Sequence, residues 1–343
     1  MNSIQQIENQ LTDLFIEWYG TSPNSILQLP NSGSNRIYYR LKKEMTSAIG
    51  VYNANYKENV AFIDFTKQLG NARINVPQIY SEKLADDIYL IQDLGDQQLL
   101  SWLISIKKGY SFPQEAIVIY KQVIQQLVQM QIIAGRHFDY SKCHQHSVFN
   151  KDAILFDLNY FKENYLDTLA ITYDDAKLQT DFSVFANYLL QAENNYFMFR
   201  DFQARNIILK ENQPFFIDYQ GGRRGPLQYD LVSLLFQAKA EIPEKIKIQL
   251  VEYYIKIAKL YVPLNKDEFL GHYYAFALIR VLQTLGAYGL RGLKEKKRHF
   301  IESIPLAKNN LVYLNDNVLI LNQLNTLKQI ISQVIETEIR NGI

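Results

Sequence analysis

Residues 199–222, FRDFQARNIILKENQPFFIDYQGG, constrain the fold of this chain more than any other segment. Asp201, Asn206 and Asp218 punctuate it. NIILK and FFIDY read as two short strands, and ENQP between them is a turn signal. A hairpin built this way folds the end of its second strand back onto the start of its first. Asp218 is therefore expected beside Asn206, with Asp201 in the polar loop just before them. Oxygen-bearing side chains then converge at one end of the hairpin.

The hairpin lies in a chain whose character changes along its length. With 343 residues, 48% of them hydrophobic, there is material for one large core or two modest ones. Residues 4–18 read as an amphipathic helix, with Ile4, Ile7, Leu11, Leu14, Phe15 and Trp18 near helical spacing. Residues 26–93 then carry short strand-like runs, ILQLP, RIYYRL, SAIGVYN and IYLIQDL. One helical stretch interrupts them, ENVAFIDFTKQLG, which Gly70 is placed to end. From about residue 97 the pattern is mainly helical. One helix runs from Pro113 to about Ala134, and further helices are expected at 159–168, 179–193, 229–239, 243–260, 267–289 and 318–340. The expected fold is α+β. Residues 1–95 form a small antiparallel sheet with one helix, and residues 96–343 form a mainly helical unit.

Composition removes several functions. Lys plus Arg number 36 against 35 Asp plus Glu, so a formal charge of +1 gives no reason to expect a nucleic-acid or membrane-surface partner. A lone cysteine, Cys143, rules out a disulfide framework within the chain. The first residues are polar-spaced and helical rather than signal-like, and no apolar run approaches a membrane span, so a cytoplasmic protein is expected. Cys143, His144 and His146 crowd together in KCHQHS, but no second ligand pair accompanies them, so no zinc site is expected there.

The convergent oxygens suit phosphoryl transfer. Mg²⁺ prefers hard oxygen ligands, takes one or two carboxylates from protein and leaves positions for phosphate oxygens. A further group must accept the proton of the attacking hydroxyl. Asp218 suits the metal carboxylate, Asn206 the neutral second ligand and Asp201 the base. Asp230 opens the predicted helix YDLVSLL, where a carboxylate can accept N–H groups of the first turn or of the loop around Asp201. It is expected to hold that loop.

These residues carry a resemblance. FRDFQARN resembles the H-R-D-x-x-x-x-N catalytic loop of kinases, with Phe199 in the His position. IDYQGG resembles the metal-binding D-F-G element, with Tyr219 and Gln220 in its second and third positions. Over about residues 25–340 the variant forms resemble the aminoglycoside phosphotransferase and choline kinase superfamily, of protein-kinase-like fold. GPLQYDLVSLL (225–235) and RVLQTLGAYGLRG (280–292) are similar to the bacterial N-acetylmuramate/N-acetylglucosamine anomeric kinases.

The resemblance implies a small-molecule kinase that uses ATP or GTP with Mg²⁺ and phosphorylates an alcohol group. The implied acceptor is an amino-sugar at its anomeric hydroxyl. Choline-, homoserine- and aminoglycoside-type acceptors, or a nucleotide-binding pseudokinase, are the alternatives. YLIQDLGD (89–96) resembles the hinge that holds the adenine, at Gln92, Asp93 and Leu94. In PNSGSN, Ser32, Gly33 and Ser34 form either a phosphate cradle or a plain β-turn. Arg205, Asp157 and Asn159 are the acceptor candidates. The strand SAIGVYNAN lacks the lysine that pairs with the nucleotide phosphates in such kinases. Lys42, Lys43 or Lys57 are its possible replacements, unless metal and backbone suffice. Glu58 is the candidate for the helix glutamate that such a lysine meets.

Overall fold

The computed structural model describes residues 3–30, 35–109 and 111–338. Helix α1 (Ile4–Tyr19) opens it, with the Ser3 hydroxyl accepting the Gln6 N–H as its cap. A five-stranded antiparallel sheet follows in the order β1-β2-β3-β5-β4. Its strands are β1 (Ser25–Gln28), β2 (Ile37–Lys43), β3 (Thr46–Tyr52), β4 (Ile79–Lys83) and β5 (Ile88–Gln92). Between β3 and β4 runs α2 (Tyr56–Asn71), capped by the Asn55 side chain.

Alternation along the strands gives the sheet two unlike faces. Tyr39, Leu41, Ala48, Tyr52, Ile88 and Leu90 bury against Ile7, Leu11, Leu14 and Phe15 of α1. Val51, Tyr89 and Ile91 belong to the other face and to a different core, which takes in α2 and most of the helical residues that follow. At Phe65 of α2 the ring centroids of Phe138 and Phe197 lie 4.8 and 6.3 Å away. The helix of the sheet unit is thus packed into the helical unit's own interior.

The rest of the chain comprises α3 (Leu99–Ile106), α4 (Gln114–Val128), α5 (Lys151–Phe161), α6 (Asp175–Leu189), α7 (Leu227–Leu235), α8 (Glu244–Ala258), α9 (Lys266–Tyr288), α10 (Arg298–Ile301), α11 (Ile304–Asn317) and α12 (Asn325–Glu336). Short strands β6 (Tyr196–Met198), β7 (Ile207–Lys210), β8 (Gln213–Phe216) and β9 (Arg223–Gly225) pair as β6 with β9 and β7 with β8. Among the described residues, no helix is long and apolar enough to cross a membrane.

Several boundaries differ from the sequence expectation. Helix α5 begins at Lys151 rather than 159, because the Asn150 side chain caps it by accepting the Ala153 N–H. The expected helix at 318–340 is shorter: residues 319–323 form a tight turn, α12 follows, and α11 precedes them unforeseen. Helix α2 runs through Gly70 to Asn71 instead of stopping there.

The LGAYG segment has a packing reason. A Cβ on Gly286 would lie 3.0 Å from the backbone of Phe161, and one on Gly289 only 2.0 Å from the Asn164 carbonyl oxygen. The end of α9 therefore rests directly on the chain leaving α5. We expect Gly289→Ala to destabilise the fold by about 1–3 kcal/mol through overpacking against backbone. Gly70→Ala, whose Cβ would meet only Val76 at 3.8 Å, should leave the melting temperature unchanged or raise it. Thermal melts of the two variants make the comparison, and equal behaviour would contradict it.

Candidate active site

The hairpin forms as its sequence requires. Ile207 pairs with Phe216 and Lys210 with Gln213. Glu211 and Asn212 make the two-residue turn, both with positive φ, 53° and 60°. The ladder extends one step further, with the Ile217 N–H donating to the Asn206 carbonyl at 3.1 Å. This sets Asp218 against Asn206. The Asn206 Nδ2 donates to the Asp201 carbonyl at 2.9 Å and lies 3.4 Å from Asp218 Oδ2. The hairpin is itself held on both sides. Leu209 N–H donates to the Gln97 carbonyl at 2.7 Å, and Phe216 N–H to the Asn75 carbonyl at 2.8 Å.

Asp230, in the first turn of α7, anchors the loop that leads to Asp201. Its fully buried carboxylate accepts the Phe199 N–H at 2.7 Å and the Arg200 N–H at 3.0 Å, with Gln131 Nε2 at 3.3 Å. Burial pushes this carboxyl up to about 7, and the two backbone N–H bonds pull the other way. Arg200 takes a left-handed φ of 85°. Its guanidinium turns inward to Asp157, at 2.8 and 3.1 Å, and to the Tyr229 hydroxyl at 2.6 Å. The chain then releases Asp201 toward solvent, its side chain 46% exposed, with Oδ1 3.8 Å from Nη2 of Arg280 on α9.

Asp218 also has a left-handed φ, 71°. Gln220 Nε2 donates to its Oδ1 at 2.8 Å, and Arg36 Nη1 lies 3.4 Å from the same atom. Burial raises the Asp218 carboxyl above the usual range, while Gln220 and Arg36 oppose the shift. Arg36 also pairs with Glu58 at the start of α2. The rings beneath form a continuous column. Tyr89 stacks on Phe62 at 5.3 Å, Phe62 on Tyr219 at 5.2 Å, and Tyr219 meets Phe199 edge-on at 6.0 Å. The Tyr219 hydroxyl lies 2.5 Å from Thr66 Oγ1 on α2.

Above these groups, between sheet and hairpin, opens a cleft of about 660 Å³. Gln92, Asp93 and Leu94 line it, as do Asn206, Asp218 and the exposed Arg205. Arg40 ties its rim, with Nη2 3.1 Å from Asp93 and Nη1 2.9 Å from Asp96. Ser32, Gly33 and Ser34 lie outside the described residues. Asp157 is buried and reaches the 199–206 loop through Arg200. Asn159 is turned to α6, where its Oδ1 accepts from Gln179 Nε2 at 2.9 Å, and it is not brought to Asp201. The cleft lining includes none of Lys42, Lys43 and Lys57. Sequence reasoning missed Arg36, Arg200 and Arg280. Arg200 and Arg280 stand inside the motifs that carried the resemblance. Arg36 is marked only by its place as the first residue of the run RIYYRL.

The model of the phosphotransferase enzyme family, APH, matches residues 25–262. The chain belongs to this family. It is a phosphotransferase that acts on a small-molecule hydroxyl. It is 26% identical over 249 residues to the N-acetylmuramate/N-acetylglucosamine kinase of Neisseria meningitidis serogroup B, covering 69% of this chain and 70% of that one. It is 22% identical to the enzyme of the same name from Pseudomonas aeruginosa, covering 87% of each. The solved gentamicin–APH(2″)-IIa complex superposes with a TM-score of 0.60 at 14% identity, covering 90% of this chain and 96% of that one. That likeness shows the shared two-lobe, protein-kinase-like fold.

The Asp157–Arg200 pair gives a test of what Asp157 does. Asp157→Ala strands the Arg200 guanidinium in a buried setting, and we expect a loss of about 3–5 kcal/mol in stability. Asp157→Asn, which keeps an acceptor oxygen, should lose less. Chemical denaturation measures both. A fully stable Asp157→Ala would show that Arg200 does not depend on this carboxylate.

Proposed function

We propose that the chain transfers the γ-phosphate of ATP or GTP to the anomeric hydroxyl of an N-acetylated amino-sugar, within cell-wall sugar metabolism. The reading rests above all on one observation. Asp218 and Asn206 meet on the floor of the cleft, and Asp201 stands exposed at the adjoining loop. Residues 1–95 then carry the nucleotide and 96–343 the acceptor. Gln92, Asp93 and Leu94 line the wall where a base would lie. The sugar is supported by the names of the curated relatives, and the cytoplasm is the compartment that fits it.

The donor set suits Mg²⁺. Asp218 offers a carboxylate, and Asn206 commits its Nδ2 to protein atoms, leaving Oδ1 for a cation. No group of three or more His, Cys, Asp and Glu suited to a metal occurs among the described residues, so phosphate and water would complete the oxygen shell. Bound there, the ion would neutralise charge on the transferring phosphoryl group.

Asp201 supplies the base. The acceptor hydroxyl oxygen forms a bond to the γ-phosphorus while its proton passes to the Asp201 carboxylate. The bond from that phosphorus to the β–γ bridging oxygen breaks, and the nucleoside diphosphate leaves. No covalent enzyme intermediate is formed. Arg280 flanks Asp201, its Nη2 3.8 Å from Oδ1. An anomeric hydroxyl is more acidic than an ordinary alcohol, which eases the transfer.

Asp201→Asn should lower kcat by about 100-fold or more, the scale of a lost general base, with nucleotide still bound. A variant that keeps most of its turnover would remove Asp201 from the role. Asp218→Ala should abolish Mg²⁺-dependent nucleotide binding, whereas Asn206→Ala should only weaken it, since water can replace a neutral ligand. A Mg²⁺ titration of both variants decides this. An ATP-consumption screen over amino-sugars, amino-alcohols and aminoglycosides, followed by phosphorus NMR of the product, tests the acceptor. Coupling of phosphorus to the sugar H1 is expected. A 6-phosphate, or turnover with an amino-alcohol alone, would overturn the sugar assignment.

A further inference from the structure

In this fold the strand expected to bring a cation to the nucleotide phosphates is β3. Its cleft side carries Ile49, which lines the cleft, and by alternation Val51, which is fully buried. Neither is charged. The cation is found one strand away. Ile37 on β2 pairs with Tyr52 on β3, so Arg36 stands next to Asn53 at the end of that ladder. Both side chains reach the same carboxylate, Arg36 Nη2 pairing with Glu58 Oε1 and Asn53 Nδ2 donating to Oε2 at 2.9 Å.

The opposite edge of the guanidinium faces the floor of the cleft. Arg36 Nη1 lies 3.3 Å from the Tyr38 hydroxyl and 3.4 Å from Asp218 Oδ1. The arginine side chain is 4% exposed, so its position is fixed by what packs around it. Three arginines line the cleft among the described residues. Arg40 is committed to Asp93 and Asp96 at the rim, and Arg205 is exposed. Arg36 alone of the three touches Asp218 in the described contacts.

We propose that Arg36 is the residue that binds the α- and β-phosphates of the donor nucleotide, held for that task by Glu58 and Asn53. This rests on the nucleotide-dependent reading given above. A guanidinium presents a rigid fork of N–H donors that matches phosphate oxygens two at a time. Glu58 takes one arm of the fork, and the arm beside Asp218 is the one phosphate oxygens would meet. The 3.4 Å contact to Asp218 is long for a charge-assisted pair, and so is readily exchanged. One cation between two carboxylates leaves a surplus of negative charge, which a divalent ion on Asp218 would offset. Asp218 would then turn to the ion while Arg36 turned to the phosphates. The role of the absent β3 lysine is thereby carried by the residue just before β2, through the same helix glutamate.

Calorimetric titration with adenosine and with ADP, each with Mg²⁺, tests the assignment. Arg36→Met should weaken ADP about tenfold or more, the loss of a charge-assisted contact, and leave adenosine affinity unchanged. Glu58→Gln keeps the cation but removes the charge that orients it, and should weaken ADP less than Arg36→Met, again without touching adenosine. ADP binding to Arg36→Met at wild-type affinity would overturn the proposal. So would unchanged ADP affinity in Glu58→Gln, which remains informative if the arginine variant does not fold. Equal losses for adenosine and ADP would also overturn it, because they would indicate a damaged cleft. If the wild-type protein itself binds no ADP, the nucleotide reading fails first.

Discussion

A carboxyl group with no access to water organises the loop that carries Asp201. Asp230 could not be buried as it is without N–H partners, because an unpaired charge in the interior is costly. Two of those partners are the backbone groups of Phe199 and Arg200. Once they are fixed, the next peptide has little choice. Arg200 adopts φ 85°, its side chain turns in to Asp157, and Asp201 is delivered to the surface. The same anchor fixes Phe199 in the aromatic column, so loop, hairpin and α2 are registered against one point.

The hairpin and its neighbours were legible because everything that determines them is close in sequence. The strands NIILK and FFIDY, the turn between them and the spacing of Asp201, Asn206 and Asp218 are local facts, and local facts survive folding. Four of the five strands of the first sheet are legible for the same reason, since each alternates on its own. Strand β4 is not legible because its polar residues Ser81, Glu82 and Lys83 outnumber its apolar pair, Ile79 and Tyr80.

What could not be read was mostly long-range. Arg36 meets Glu58 only because β2 and β3 pair in one register, and meets Asp218 only because the hairpin is carried beneath the sheet. Nothing near residue 36 signals either contact, whereas Lys42, Lys43 and Lys57 stand out by charge alone and do not line the cleft. A helix beginning at 159 gathers Asp157 and Asn159 at one end. With α5 beginning at Lys151, the two residues are about 200° apart around its axis, and they part company toward Arg200 and Gln179. A side chain's direction on a helix is lost as soon as the phase of the helix is lost.

The contact between Tyr219 and Thr66 has a consequence for motion. Thr66 donates its own hydroxyl proton to the Phe62 carbonyl at 2.6 Å, so the proton in the bond between the two hydroxyls comes from Tyr219. Swinging α2 away would leave that phenol buried without an acceptor, at a cost of about 1–3 kcal/mol, before any ring stacking is lost. Helix and loop therefore stay docked through ordinary thermal fluctuation. A molecule built this way rests in its assembled shape, with α2 already docked on the segment that carries Asp218.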